Sequence, residues 1–156
     1  MVAKTFGGAV YGVDARTSTV EVNVTQGKDF YMSGLPDTAV KESQHRVESS
    51  FKSLKLFMPR NKVVVNLAPA DLRKEGSAYD LPIALCVLKA SEQIEAAELD
   101  KYIIMGELSL DGILRPIKGV LPIAIQARKE EFKGFVLPKS NAREAAIVNN
   151  LDVIGV

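Results

Sequence analysis

The sequence has few of the side chains that usually build metal sites and hydrolytic triads. Its 156 residues include one cysteine, Cys86, and one histidine, His45. A single cysteine cannot form an internal disulfide, and its position within an apolar run suits core packing in a reducing compartment. A lone histidine with no second ligand beside it does not make a metal site, and it argues against a Ser-His-Asp triad. We therefore predict that no residue of this chain binds a metal.

Nucleotide-binding motifs are missing as well. Neither Gly-x-x-x-x-Gly-Lys-Ser/Thr nor Gly-x-Gly-x-x-Gly occurs, so we expect no ATP and no other cofactor on this chain alone. The 20 basic residues nearly balance the 19 acidic ones, which produces no global field for a nucleic acid or a membrane. There is no run of about 18 apolar residues, and residues 1–5 show no signal-peptide pattern. We expect a cytoplasmic protein without membrane contact.

The pattern of apolar residues predicts a single α/β domain over residues 1–156. In residues 16–25, valines alternate with polar side chains, which is the period of a half-buried strand. We predict that residues 4–12, 16–25 and 30–32 form an antiparallel meander, with its second turn at 26–29. Helices and strands alternate after it: a helix capped by Asp37, a strand at 63–67, a buried helix at 81–88, a strand at 102–110 with its return strand at 113–116, a helix at 120–131, a strand at 134–138, a helix at 141–149 and a last strand at 152–156.

A charged loop, residues 66–82, separates two apolar runs and should reach the surface where a strand is followed by a helix. Ser77 and Asp80 have the spacing of a capping box, in which a hydroxyl and a carboxylate bind the free amides of a helix start. The residue at which this helix starts depends on the position of Pro82. If Ser77 is the cap, Pro82 removes one helical hydrogen bond, whereas if Asp80 is the cap, Pro82 lies harmlessly in the first turn. We favour a capping role for Ser77 over a nucleophilic one, and both Ser77 and Asp80 remain candidates for the start of the helix.

The remaining enzymatic option is a Ser-Lys dyad, in which a partly desolvated lysine activates a serine. Ser77 is the candidate nucleophile, and Lys74 and Lys118 are the candidate bases. Such a dyad requires the serine hydroxyl to lie about 3 Å from the lysine amine.

Three segments carry a family resemblance: Gly34–Ser43, Asn66–Pro82 and Gly106–Pro116. They resemble the N-terminal domain of the YifB/ComM family of magnesium-chelatase (ChlI-like) AAA+ proteins, and the resemblance covers nearly the whole chain. In that family the domain precedes a AAA+ ATPase module, which is absent from these 156 residues. The resemblance implies that ATP and magnesium bind to the missing module. It also implies that the full-length protein is an ATPase that forms a homo-oligomeric ring and processes DNA during transformation and recombination, including branch migration.

The domain is also similar to the proteolytic domain of Lon, so the resemblance implies an α+β two-layer fold, the ribosomal protein S5 domain 2-like fold. On this resemblance, Ala78 stands where Lon carries its nucleophilic serine, and Leu121 stands where it carries its catalytic lysine. Ser77 comes one residue early, which turns a side chain by about 100° at a helix start, and Lys118 comes three residues early. The resemblance implies a non-catalytic domain. The alternative is a residual Ser-Lys peptidase or a peptide-binding module.

The two Lon-like motifs converge in that fold, so the resemblance also places four cations near one cleft, where they could contact the phosphates of DNA. In the alternative interpretation, the two cations of the first motif form ion pairs with the neighbouring Asp71 and Glu75. The predicted binding residues are Arg73, Lys74, Ser77, Arg115 and Lys118.

Overall fold

The computed structural model describes residues 1–156. Its strands are β1 (Val2–Tyr11), β2 (Asp14–Thr25), β3 (Phe30–Ser33), β4 (Lys62–Ala68), β5 (Tyr102–Ile104), β6 (Glu107–Leu108), β7 (Leu114–Arg115), β8 (Gly134–Leu137) and β9 (Asp152–Gly155). Its helices are α1 (Thr38–Lys41), α2 (Ser43–Ser53), α3 (Asp80–Ala90), α4 (Val120–Lys129) and α5 (Ala142–Ala145). None of these helices combines the length and the apolar character that a membrane crossing requires.

Seven strands form one mixed sheet in the order β3-β4-β2-β1-β5-β8-β9. The pairs β1–β2 and β2–β4 are antiparallel, whereas β3–β4, β1–β5, β5–β8 and β8–β9 are parallel. β6 and β7 form a separate antiparallel pair. A mostly parallel sheet whose strands are connected through helices confirms the predicted α/β class.

The predicted meander is wrong in its third strand. β1 and β2 pair as expected, but β3 pairs with β4, which lies between β3 and β2. The register joins Val20 to Leu67 and Val22 to Val65, and all four side chains are buried. The four-residue β3 is left at the edge of the sheet, where short strands are common. Alternating valines indicate that a strand has a buried face, but they do not identify its neighbour.

Helices cover both faces of the β1–β2 pair. Successive strand residues point to opposite faces. Thr5 donates a hydrogen bond to the Pro82 carbonyl of α3, whereas the ring of Phe6 packs against Phe132, just beyond α4, with centroids 5.4 Å apart. A side chain at Gly8, on the same face as Phe6, would lie 3.0 Å from α4. The two-layer expectation is therefore wrong here, because α4 has an apolar face of its own to bury and lies opposite α3.

The helix α3 begins at Asp80, so the predicted Ser77 cap is wrong. Tyr79 occupies the N-cap position, and no side chain caps the first turn. Residues 77–79 instead form a turn, in which the Ser77 carbonyl oxygen accepts a hydrogen bond from the Asp80 amide at 3.2 Å. Pro82 lies in the first turn, where its missing N–H removes no helical hydrogen bond. Nine of the 11 residues of α3 are buried, which confirms it as an inner helix.

The predicted strand at residues 102–110 is divided at Gly106. β5 belongs to the main sheet, whereas β6 turns away and pairs with β7. A side chain at Gly106 would lie 2.9 Å from Leu114 and 3.3 Å from Leu81, so the backbone passes close to both β7 and α3. This close approach lets the chain leave the sheet at Gly106.

The turn between β6 and β7 is wider than the predicted two-residue turn at Asp111-Gly112. The Ser109 amide donates to the Ile113 carbonyl at 2.8 Å, and the Ile113 amide donates to Ser109 Oγ at 2.9 Å. Gly112 has φ +90°, a value that favours glycine. The dipeptide therefore marked a turn correctly but did not indicate its length.

Candidate functional site

A cleft of about 640 Å³ opens where the motif segments meet. Its walls come from the end of β1, the loop before α3, the junction of β5 and β6, and the segment that leads into α4. The charged residues that line it are Arg73, Lys118, Asp37, Glu75 and Glu107.

Asp37 connects the Gly34–Ser43 segment to the loop before α3. Its Oδ1 accepts a hydrogen bond from the Val40 amide at 2.7 Å, so it caps α1, as predicted. Its Oδ2 accepts a second bond from the Gly76 amide at 3.0 Å, and its own amide donates to the Lys74 carbonyl at 2.9 Å. The Asp37 carboxylate therefore holds one wall of the cleft in place.

Lys74 lies beneath this wall and not in the cleft. It is fully buried, and its ammonium group donates to the carbonyls of Gly34 and Leu67, each at 2.8 Å, and to that of Pro69. The three donors of the ammonium group match these three acceptors. Burial lowers the pKa of Lys74, because dehydration disfavours the charged form. The prediction of Lys74 as a phosphate-binding residue, as the base for Ser77 or as a surface ion pair is therefore wrong.

Asp80 is the second fully buried charged residue in this region. Its carboxylate accepts hydrogen bonds from Ser43 Oγ at 2.6 Å, from the Arg46 guanidinium at 2.7 and 3.0 Å, and from the Leu108 amide at 3.0 Å. The hydrogen bonds to Asp80 raise the pKa of Arg46. One carboxylate therefore joins α2, α3 and β6. Sequence reasoning missed this role because the spacing from Ser77 favoured a local cap, and nothing in the sequence connects Asp80 to Arg46.

Three of the five predicted binding residues come together at the cleft: Arg73, Ser77 and Lys118. Arg73 Nε lies 3.3 Å from Glu75 Oε1, and both side chains are about two-thirds exposed, at 66% and 64%. The predicted ion pair with Glu75 is thus confirmed for Arg73. Arg115 is exposed on β7 but does not line the cleft.

Acidic residues outnumber basic ones along the cleft. Arg73 and Lys118 are its two cations, whereas Asp37, Glu75 and Glu107 supply three carboxylates. The predicted cluster of four cations is wrong at this site, because one of them is buried and another lies outside the cleft. A cleft without an excess of positive charge does not concentrate a polyanion by its field.

Ser77 lines the cleft, but none of the side-chain hydrogen bonds of the structure joins its hydroxyl to a lysine amine. Lys74 gives its three donors to backbone carbonyls. Ala78, which the resemblance aligns with the Lon nucleophile, presents a methyl group to the cleft, and Leu121, which it aligns with the Lon lysine, is 41% exposed on α4. The groups assembled here can bind and orient a ligand through shape, charge and hydrogen bonds.

Most of the segments that build the cleft lie within the range that a known protein family matches. The family profile described as "Subunit ChlI of Mg-chelatase" matches residues 20–141. That range contains all five predicted binding residues, the loop before α3 and the β6–β7 pair.

Two relatives are similar to nearly the whole chain. Competence protein ComM of Haemophilus influenzae is 41% identical over 150 residues, which are 96% of this chain and 29% of ComM. The uncharacterized protein YifB of Escherichia coli is 44% identical over 142 residues, which are 90% of this chain and 28% of YifB. The chain therefore spans less than a third of the length of these relatives. Since the profile also covers well over half of its residues, the chain belongs to the magnesium-chelatase ChlI-like family of ComM and YifB.

Proposed function

We propose that this chain is the non-catalytic, Lon-like N-terminal domain of a ComM-type AAA+ protein. In this proposal a AAA+ module outside the 156 residues binds ATP and magnesium, hydrolyses ATP and forms a homo-oligomeric ring in the cytoplasm, and this domain supports ring assembly. The observation that carries the non-catalytic role is the absence of a lysine partner for Ser77, with Lys74 held by three carbonyls.

The proposal includes a ribosomal protein S5 domain 2-like core. The β1–β2 hairpin, α2, β4 and α3 follow one another in the order that this fold requires, which supports it. The helix α4 would then be an addition on the opposite face of the sheet.

Ring assembly is tested on the full-length protein and on a version without residues 1–156. Sedimentation and ATP hydrolysis are measured over a range of protein concentrations with ATP and magnesium present. We expect the shortened protein to assemble only at higher concentrations and to hydrolyse ATP more slowly per subunit. The full-length Ser77→Ala variant is the control and should match the wild type. Equal assembly and hydrolysis without residues 1–156 would contradict the proposed role.

The alternative function is a residual Ser-Lys peptidase, with Ser77 as nucleophile and Lys118, the lysine that lines the cleft, as base. The test is labelling by a fluorophosphonate and cleavage of fluorescent casein, with the wild type compared with Ser77→Ala. We expect no difference between the two proteins. Labelling and cleavage that disappear in both Ser77→Ala and Lys118→Gln would replace the non-catalytic proposal with the peptidase.

Contact with DNA during recombination or branch migration is a further part of the proposal, supported by the exposed cations Arg73, Arg115 and Lys118. Binding to single-stranded and four-way-junction DNA is measured as salt is raised, with the double variant Arg73→Glu/Lys118→Glu beside the wild type. Loss of phosphate contacts should weaken binding and flatten its salt dependence. The charge-matched control is Lys52→Glu/Lys55→Glu, at two exposed lysines outside the cleft. Equal binding by all three proteins would rule out this contact.

A further inference from the structure

The strand β1 has an open edge inside the cleft. On one side it pairs with β2 along its whole length, from Val2 to Tyr11, whereas on the other side Phe6 alone pairs, with Ile103 of β5. The amide of Gly8 points to that second side and donates to the sulfur of Met105 at 3.4 Å, a weak acceptor. Beyond Gly8, no strand lies beside β1.

The orientation of the Gly8 amide determines the direction of the groups that follow. In an antiparallel pair, residues that bond to the neighbouring strand alternate with residues that face away from it. Val10, two residues after Gly8, therefore directs its N–H and C=O away from β2, as does the Gly8 carbonyl. None of the backbone hydrogen bonds outside helices and strands uses these groups. They line the cleft as free donors and acceptors.

We propose that this edge binds an extended peptide segment, which adds a strand beside β1 at residues 8–11. The segment would lie where β5 would continue beside β1 if the chain did not turn away at Gly106. Strand addition of this kind takes its affinity from backbone hydrogen bonds and its specificity from the pockets that receive alternate side chains.

The two walls of the cleft provide such pockets. A strand beside β1 shares the two faces of β1, and its side chains alternate between them. The α3 side of the cleft, with Ser77 and Ala78, lies on the same face of the sheet as Gly7. The α4 side, with Lys118 and Ile123, lies on the same face as Gly8. We expect small or polar side chains against the first wall and apolar ones against the second.

A peptide fits this edge better than a nucleic acid does. The free groups of β1 include an amide donor and two carbonyl acceptors, and a peptide backbone complements both kinds, whereas a phosphate backbone supplies acceptors only. The three carboxylates among the five charged lining residues also oppose a polyanion. Since Glu107 belongs to no ion pair, it is available to a basic side chain of the peptide.

The test uses the purified 156-residue chain and three fluorescein-labelled probes, so its result does not depend on ring assembly. Two probes are unstructured 12-residue peptides rich in valine and threonine, one with two lysines and one with two glutamates, and the third is a single-stranded oligonucleotide. Binding is measured by fluorescence anisotropy. We expect both peptides to bind, the lysine peptide more tightly, and the oligonucleotide to bind least.

The decisive variant is Val10→Pro, which removes the free N–H without touching a bond to β2, and its matched control is Val10→Ala, which keeps that N–H. We expect Val10→Pro to weaken peptide binding about tenfold relative to Val10→Ala, because a buried acceptor of the peptide loses its donor. Amide resonances of the wild-type chain give a second measurement that does not depend on the folding of a variant. Peptide addition should shift Gly8 and Val10.

Three results would overturn the proposal. They are equal affinity of Val10→Pro and Val10→Ala, resonance shifts confined to residues outside the cleft, and no binding of either peptide. Tighter binding of the oligonucleotide than of both peptides would assign the cleft to nucleic acid instead.

Discussion

The two sides of the cleft use charged residues differently. In the loop of residues 66–80, Lys74 and Asp80 are fully buried, and each is held by at least three hydrogen bonds. On the side formed by the segment before α4, Lys118 is exposed and belongs to no ion pair, and the same holds for Arg115 on β7, just outside the cleft. A charge removed from water needs fixed partners, whereas an exposed charge keeps its hydration. The first side therefore uses its charges to build the cleft, and the second leaves them available to a ligand.

Two neighbouring residues of the loop show the same difference between an exposed and a buried charge. Arg73 and Lys74 are adjacent cations, yet Arg73 pairs with Glu75 at the surface while Lys74 is buried among carbonyl oxygens. Successive residues point in different directions, so equal charge in the sequence does not mean equal exposure. Substitutions on the two sides of the cleft test this difference directly.

The largest effect should come from Asp80→Ala. The change leaves the Arg46 guanidinium and the Leu108 amide without their partner, so we expect the free energy of unfolding to fall by about 4 kcal/mol. Urea unfolding followed by circular dichroism measures it. The control is Glu107→Ala, at a half-buried carboxylate in no ion pair, which should change little. If Asp80→Ala lowers the free energy of unfolding no more than the control does, the buried charges do not stabilise their side of the cleft as described.

The next effect is expected for Lys74→Met. Methionine fills most of the space but donates no hydrogen bond, so the carbonyls of Gly34, Leu67 and Pro69 lose their donor. We expect a loss of about 3 kcal/mol in the free energy of unfolding. The same substitution on the other side of the cleft, Lys118→Met, should leave the free energy of unfolding nearly unchanged. If both variants unfold at the same urea concentration, Lys74 does not have the structural role assigned to it.

The pH dependence of stability should distinguish Lys74 from an exposed lysine. Burial lowers the pKa of Lys74 in the folded protein below the ordinary value of 10.5. Between these two pKa values the folded state holds fewer protons than the unfolded state, so Lys74 makes stability rise with pH. Lys74→Met lacks this contribution, and its deficit relative to the wild type should grow as the pH approaches 10.5. Urea unfolding at several alkaline pH values measures it, and a constant deficit would contradict the lowered pKa of Lys74 in the folded protein.

The smallest effect is expected for Arg73→Ala. Its ion pair with Glu75 is about two-thirds exposed on both sides, and such pairs contribute about 0.5 kcal/mol or less. Thermal unfolding at low and high salt is the measurement, with Lys74→Met as the comparison. A loss as large as that of its buried neighbour would mean that Arg73 also supports the wall of the cleft.

Much of the fold follows from local patterns. The alternating valines of β2 indicated a strand, the apolar run after the charged loop indicated an inner helix, and Asp37 was correctly placed as a cap. The neighbour of β3 could not be predicted in this way, because 28 residues separate β3 from β4, and β4 inserts beside β2 through long-range pairing. The side of the sheet taken by α4 likewise depends on packing between distant elements.

The candidate site was only partly predictable. The structure brings Arg73, Ser77 and Lys118 to one cleft, whereas Lys74 lies buried beneath it and Arg115 lies outside it. The burial of Lys74 was not expected, because three backbone carbonyls that the chain folds around it have no signature in the sequence. The partners of Asp80 were hidden for a related reason, since two of them lie more than 30 residues before it.

The sequence by itself determined the family and the α/β class, because motif segments and hydrophobic periods are local properties of the chain. Only the tertiary structure decided which charges reach solvent, on which face each helix packs and which edge of β1 stays open. Those outcomes depend on whether a polar group, once removed from water, meets a partner from a distant segment.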